Sequence, residues 1–304
     1  MQLRSLRYFV VLAELLNFRE GAAQLHISQP TLTAAIQSLE SELGVQLLSR
    51  RSKKTELTHA GSVLLVETET LLHMLERAVT LTRASAEGMA GVLSIGFVST
   101  AVTSGLLSPL IRAFREENPG YELTSQNMPT EIQIERLAAG KLDVGLLRLP
   151  LRTIRGLEVV PVHFEPLIAI LPRSHRLAEK EHLQVADFAG CEFVITARHL
   201  AMGYYDFILK ILGDAGIPFT ISQEVEEMYT LASLVSSGLG VALAPRSVCC
   251  YQLENIVFKS MPELPHTGFA VAIRKDERRE HVRHFFDLAI RLAHPDRDAA
   301  PCHS

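Results

Sequence analysis

Leu32, Ile36, Leu39 and Leu43 recur at a helical period, with small polar residues between them. That spacing predicts a helix with one buried face. Its start is marked by Ser28, a good N-cap because its hydroxyl accepts from a free N–H of the first turn. Pro30 falls in that first turn, where its missing N–H costs little, and Gly44 ends the helix. Upstream, residues 19–25 predict a shorter helix, with Ala22, Ala23 and Leu25 available for packing, and His26 with Ile27 makes the turn. This is a helix-turn-helix pattern, in which the N-terminal part of the second helix reads a DNA major groove. Gln29, Thr31, Thr33 and Gln37 lie opposite the apolar stripe and are able to reach base edges. Two small helices alone are equally a structural hairpin. A basic run follows: Arg50, Arg51, Lys53 and Lys54. Such a run is usually a solvated face. Beside a reading helix it is the phosphate clamp of a winged helix-turn-helix, because cationic side chains displace counterions from the backbone.

Further along, residues 58–87 predict one long helix. Leu64, Leu71 and Ala78 stand seven apart, with Glu67, Met74 and Leu81 between them at the second heptad position. This is a short, imperfect coiled-coil seam; the alternative is a helix packed on its own domain. Gly88 and Gly91 predict a hinge. From residue 92 the texture changes. Strands are expected at 92–98, 121–127, 142–147, 167–171, 192–196, 220–225, 241–244 and 268–273. Helices are expected at 106–117, 131–139, 203–215, 229–237 and 278–294. Strands alternating with helices predict a parallel sheet covered on both faces.

The chain has 304 residues and a net charge of −4, enough length for two or three folded units. An acidic balance is unusual for a DNA binder, but it is unevenly spread. Residues 1–60 carry seven Arg and Lys against five Glu, a net of +2, which leaves −6 for the rest. The basic end suits nucleic acid and the acidic body does not. No run has the length of a membrane span, and the N-terminal segment lacks the apolar core and cleavage site of a secretory signal. The four cysteines, Cys191, Cys249, Cys250 and Cys302, show neither metal-ligand spacing nor a disulfide framework. A cytoplasmic protein with reduced thiols is expected, without cofactor or metal.

The N-terminal motif resembles that of the LysR-type transcriptional regulators. The resemblance runs from a first helix at residues 3–16, through the Ser28-Gln29-Pro30 helix start and the segment ELGVQLL, into the basic wing and the segment LTHAG. It covers the first sixty or so residues closely and the whole chain in length and layout. Members often carry an Arg in the middle of the recognition helix, whereas this chain has no Arg or Lys between Ser28 and Leu43. Phosphate binding therefore leans on the wing. The resemblance implies an α/β protein overall. It would have a winged helix-turn-helix at 1–57, a dimerising linker helix at 58–88 and an effector-binding domain at 89–304. That last domain is like a two-lobed periplasmic binding protein, with lobe one at 92–163 plus 266–304 and lobe two at 164–265.

Ligand sites in open α/β sheets lie at strand C-terminal ends and helix starts. On that layout three segments meet between the lobes. Ser99, Thr100 and Thr103 supply hydroxyls and helix-start N–H groups, Pro129 and Thr130 open the next helix, and Arg148 ends an inner strand. An Arg there needs a negative partner: either a ligand carboxylate, held bidentately, or an internal acid such as Glu131 or Glu226. Residues 201–204 and 228–230, with Met202 and Met228, cover the ligand as an apolar wall or are simple core. The expected function is a transcriptional regulator. It binds double-stranded promoter DNA as a homodimer or, as a dimer of dimers, a homotetramer. Ser28, Gln29, Pro30, Thr31, Thr33 and Gln37 face bases, and Arg50, Arg51, Lys53 and Lys54 face phosphates. A small carboxylate effector sits between the lobes, and the arrangement resembles the members that sense aromatic acids and muconate-like products. The competing classes are a regulator answering to a non-aromatic or uncharged metabolite, a solute-binding module without DNA function, and an enzyme. Against the last stands the lack of a phosphate-binding glycine loop, a metal-ligand cluster or a GxSxG elbow.

Overall fold

The computed structural model describes residues 1–49, 55–86 and 90–293, the side chains of residues 73, 77, 81 and 83–85 aside. The chain divides into two units, Met1–Ala86 with Ala139–Lys141, and Glu87–Ala138 with Leu142–Ser304.

In the first unit, α1 (Leu3–Leu15), α2 (Phe18–Gln24) and α3 (Gln29–Leu43) pack around Phe9, Leu12, Leu32, Ile36 and Leu39. Each such burial contributes roughly 1.5–3 kcal/mol. The Ser28 hydroxyl accepts from the Thr31 N–H at 3.2 Å, and Gly44 closes α3 at a φ of 70°. Asn17, unforeseen as a cap, accepts from the N–H groups of Arg19 and Glu20 at 3.0 and 3.3 Å, which starts α2 at Phe18. Strands β1 (Leu48–Ser49) and β2 (Glu56–Leu57) form an antiparallel hairpin. Arg50, Arg51, Lys53 and Lys54, between those strands in sequence, lie outside the described residues. The long helix α4 (His59–Ala86) starts against the hairpin. Thr58 Oγ1 accepts from the Gly61 N–H at 3.0 Å and donates to the Gln46 carbonyl at 2.7 Å. A Cβ at Gly61 would stand 2.1 Å from the Leu47 carbonyl oxygen, so only glycine lets the helix come this close.

The heptad seam expected on α4 is split. Leu64 packs on the core of its own unit, whereas Leu71 and Met74 are 45% and 62% exposed, as are Val63 and Val66 at 52% and 61%. The first turns of α4 must cover the hairpin, and this sets which face turns inward. Gly91 is no hinge residue: it is buried as the first residue of β3 (Gly91–Phe97). Gly88 lies outside the described residues.

The second unit opens with β3, α5 (Ser99–Thr103), α6 (Leu107–Glu117), β4 (Tyr121–Asn127), α7 (Thr130–Ala138), β5 (Val144–Leu149) and β6 (Leu157–Glu165). It continues with β7 (Leu167–Pro172), β8 (Glu192–Thr196), α8 (Met202–Asp214), β9 (Thr220–Val225), α9 (Met228–Ser236), β10 (Ala242–Pro245) and β11 (Ile256–Ser260). Finally β12 (Thr267–Arg274) and α10 (Glu280–Arg291) return to the start. One lobe is a five-stranded sheet in the order β4-β3-β5-β12-β6. Helices α6 and α10 cover one face through Leu110, Phe114, Phe285 and Phe286, and α7 covers the other through Leu137. The second lobe holds the sheet β10-β7-β11 and the pair β8-β9 around Phe188, Phe193, Leu212 and Val235. The chain crosses between the lobes after β6 and again before β12.

The sheets are mixed, which corrects the all-parallel expectation. β4-β3-β5 and β8-β9 are parallel. β12 runs antiparallel to both neighbours, and β10-β7-β11 is antiparallel throughout. Parallel neighbours need a crossover helix. β5, β6 and β7 follow one another without one, so helix–strand alternation gives no sign of β6; β11 was unforeseen for the same reason. Cys191 and Cys250 are free thiols.

Candidate functional site

Two sites were anticipated, one in each unit. At the start of α3, Ser28, Gln29, Pro30, Thr31 and Gln37 are exposed and Thr33 is half-buried. The Ser28 and Thr31 hydroxyls lie 2.7 Å apart and hydrogen-bond to each other. With the Thr31 amide also capped, these two side chains fix the geometry of the first turn. Gln29 and Gln37 stand on the exposed side of the helix. The face is polar and uncharged, which suits base edges better than phosphates.

The second site is a cavity of about 190 Å³ between the two lobes, lined in part by Ser99, Thr100, Pro129, Thr130, Arg148 and Met228. The parallel strands β3 and β5 end there. Thr103 and Met202 do not line it. Thr103 Oγ1 donates to the Thr100 carbonyl at 3.2 Å, because one turn of α5 carries it away from Ser99. Met202 N–H donates to Glu131 Oε1 at 3.2 Å, a contact across the lobes.

Arg148 meets an internal acid, but neither of the two anticipated. Its Nη1 donates to Glu165 Oε1 at 2.9 Å, its Nη2 donates to Thr100 Oγ1, and its guanidinium stacks 3.9 Å from the centre of the Phe269 ring. The two charged side chains are 4% and 6% exposed. Glu165 also accepts from the Ser247 N–H at 2.7 Å and the Ser247 hydroxyl at 3.2 Å, so it ties the first lobe to the second. The partner was missed because Glu165 closes β6, the strand that alternation concealed. Thr130 Oγ1 accepts from the Arg148 N–H at 3.1 Å.

Sequence reasoning also missed Glu227 as a cleft residue. It immediately precedes α9, and its two oxygens accept from Ser99 Oγ at 2.9 Å and Asn127 Nδ2 at 3.3 Å. Glu226 lines the same wall. The only signal was a pair of acids just before a predicted helix start. Tyr204, in a segment expected over the ligand, is 3% exposed and also lines the cavity. Among the described residues its hydroxyl has no hydrogen-bond partner. Burial pushes its phenol well above the usual tyrosine range, so the hydroxyl keeps its proton and remains a donor. Among the described residues no cluster of His, Cys, Asp and Glu is arranged to hold a metal ion.

A helix-turn-helix with a hairpin beside it is the plan of a DNA-binding protein, and here the chain also carries a two-lobed α/β domain enclosing a cavity. Residues 3–62 match the family model for bacterial regulatory helix-turn-helix proteins of the lysR family, and residues 86–293 match the LysR substrate binding domain. The chain belongs to the LysR family and is a DNA-binding transcriptional regulator, not an enzyme. It is 39% identical to the HTH-type transcriptional regulator YnfL of Escherichia coli K12, over 84% of this chain and 86% of that one. It is 30% identical to the HTH-type transcriptional regulator AlsR of Bacillus subtilis 168, over 95% of each. Among solved structures it is similar to full-length CbnR complexed with its target DNA, with a TM-score of 0.74 and 29% identity over 96% of this chain and all of that one.

Proposed function

We propose that this regulator reads promoter DNA as a homodimer or homotetramer and answers to a small carboxylate bound between the lobes of its C-terminal domain. The observation that carries the effector half is the gathering of Ser99, Thr100, Thr130 and Arg148, from three separate stretches of one lobe, around a cavity also lined by Met228 and Tyr204 of the other. Binding at such a place shifts lobe closure only if the effector prefers one closure state over the other. In this account the working parts are a reading head at 1–57, a linker at 58–88 and an effector domain at 89–304, whose lobes part after β6 and again before β12. The DNA half is supported by the exposed polar start of α3 and by the DNA complex solved for CbnR. Among the described residues no helix is long and apolar enough to cross a membrane, in keeping with a protein that works on DNA in the cytoplasm.

Two measurements test this account. Footprinting on the DNA flanking the gene should give a protected, imperfectly palindromic site. Arg51→Ala should lower the salt slope of binding by about one on all sequences, and Gln37→Ala should change base preference instead. A salt slope unmoved by Arg51→Ala removes that residue from the phosphate set. Thermal shift with small carboxylates should show a concentration-dependent rise, since only native-state binding stabilises in this way.

A further inference from the structure

The cleft is charged in a way that a simple acid does not match. Its cation is already used: Arg148 is neutralised by Glu165 inside the protein, and separating a buried pair is strongly unfavourable. The charges left on the wall are negative. Glu226 and Glu227 both line the cavity, and among the described residues neither is within salt-bridge distance of a cation. Among the described residues the Glu227 carboxylate accepts from the neutral donors Ser99 and Asn127. A dicarboxylate would therefore bring two more negative charges to an acidic wall.

The same cavity is also lined by donors. The Tyr204 hydroxyl is buried and unpartnered, which is costly unless an acceptor arrives. Thr100 Oγ1 accepts from Arg148 and so has its own proton to give. The first turn of α7 reaches the cavity at Thr130, and helix starts favour anions. Apolar side chains, Val98, Met128 and Leu200, line the same cavity. A cavity of about 190 Å³ exceeds the ~150 Å³ that holds a benzene ring.

We propose that the cleft takes a zwitterionic amino acid with an apolar side chain. Its carboxylate lies at Tyr204, Thr100 and the start of α7, and its ammonium lies at Glu226 and Glu227. This rests on the interlobe cleft being the effector site. The ligand is neutral overall, so it meets both the acids and the donors without adding net charge. Its ammonium takes the carboxylate that otherwise joins Ser99 and Asn127 across the lobes, which couples occupancy to lobe contact.

The test is calorimetry and thermal shift on the full-length protein with leucine and phenylalanine. Each is set against its deaminated acid (isocaproate, hydrocinnamate) and its decarboxylated amine (isoamylamine, phenethylamine). One amino acid is expected to bind at least about tenfold tighter than both of its analogues. Glu227→Gln should remove that margin over the acid, and Tyr204→Phe should weaken the amino acid and the acid alike. An acid that binds as tightly as its amino acid overturns the proposal while leaving the cleft a carboxylate site. Amino-acid binding with its margin intact in Glu227→Gln overturns it as well. Silence from the amino acids overturns it too, and the cleft account falls with it only if the acids and amines are also silent.

Discussion

Arg148 and Glu165 show how a single buried pair fixes the chemistry around it. With so little of either side chain exposed, removing one partner leaves an unpaired charge in a dry place. Arg148→Met is expected to cost about 3–5 kcal/mol, and adding Glu165→Leu should restore much of that loss. Guanidinium melts of the single and double variants check this; equal instability in both would show that the pair is not the source. His175 gives a second handle. Burial, and then the charge of Arg176, lower its affinity for a proton. The unfolded chain therefore takes that proton more readily, so this group's contribution to stability is present above its ordinary value and is lost as the pH falls. His175→Gln should flatten the fall in Tm between about pH 7 and 5; an unchanged slope in a thermal melt would assign the fall to other groups.

Elements follow local signals until a neighbour overrides them. Helix α3 begins and ends where Ser28 and Gly44 place it, because capping is a matter of a few adjacent residues. Strands β8 and β9 occupy the spans expected of them, since each is an apolar run or an alternation bounded by turns. Helix α4 is different at its start, where Gly61 lies against the carbonyl of Leu47. Gly61→Ala is expected to destabilise the first unit by about 1–3 kcal/mol through overpacking and to weaken DNA binding by displacing the hairpin. A melt of the variant beside its DNA titration checks this, and a wild-type melting curve would mean that the helix start can shift without cost. β6 escaped notice because it joins its neighbours without a helix, and with it went the partner of Arg148.

At the scale of the whole molecule, α4 leaves Val63, Val66, Leu71 and Met74 exposed along one helix. Apolar side chains in such a row are the usual material of a helix–helix seam. Replacing Leu71 and Met74 together by Glu should lower the mass measured by light scattering from that of the oligomer towards that of the monomer. It should also weaken binding to a two-half-site promoter more than binding to one half-site. Unchanged mass would place the oligomer contact elsewhere.

By itself, the sequence determined the helix-turn-helix, the caps and polar exposed face of α3, the long helix, the α/β class of the remainder and six of the residues that line the cavity. Each of these rests on periodicity, capping or the general rule that sites form at strand ends, all of which act over short stretches of chain. The tertiary structure alone decided the antiparallel strands, the split face of α4, the pairing of Arg148 with Glu165 and the place of Glu227 opposite Ser99. These depend on which segments meet in space, 17 residues apart in the chain for Arg148 and Glu165 and 128 apart for Ser99 and Glu227. The charge a ligand encounters is set by those meetings, because a cation already neutralised by the fold no longer acts as one.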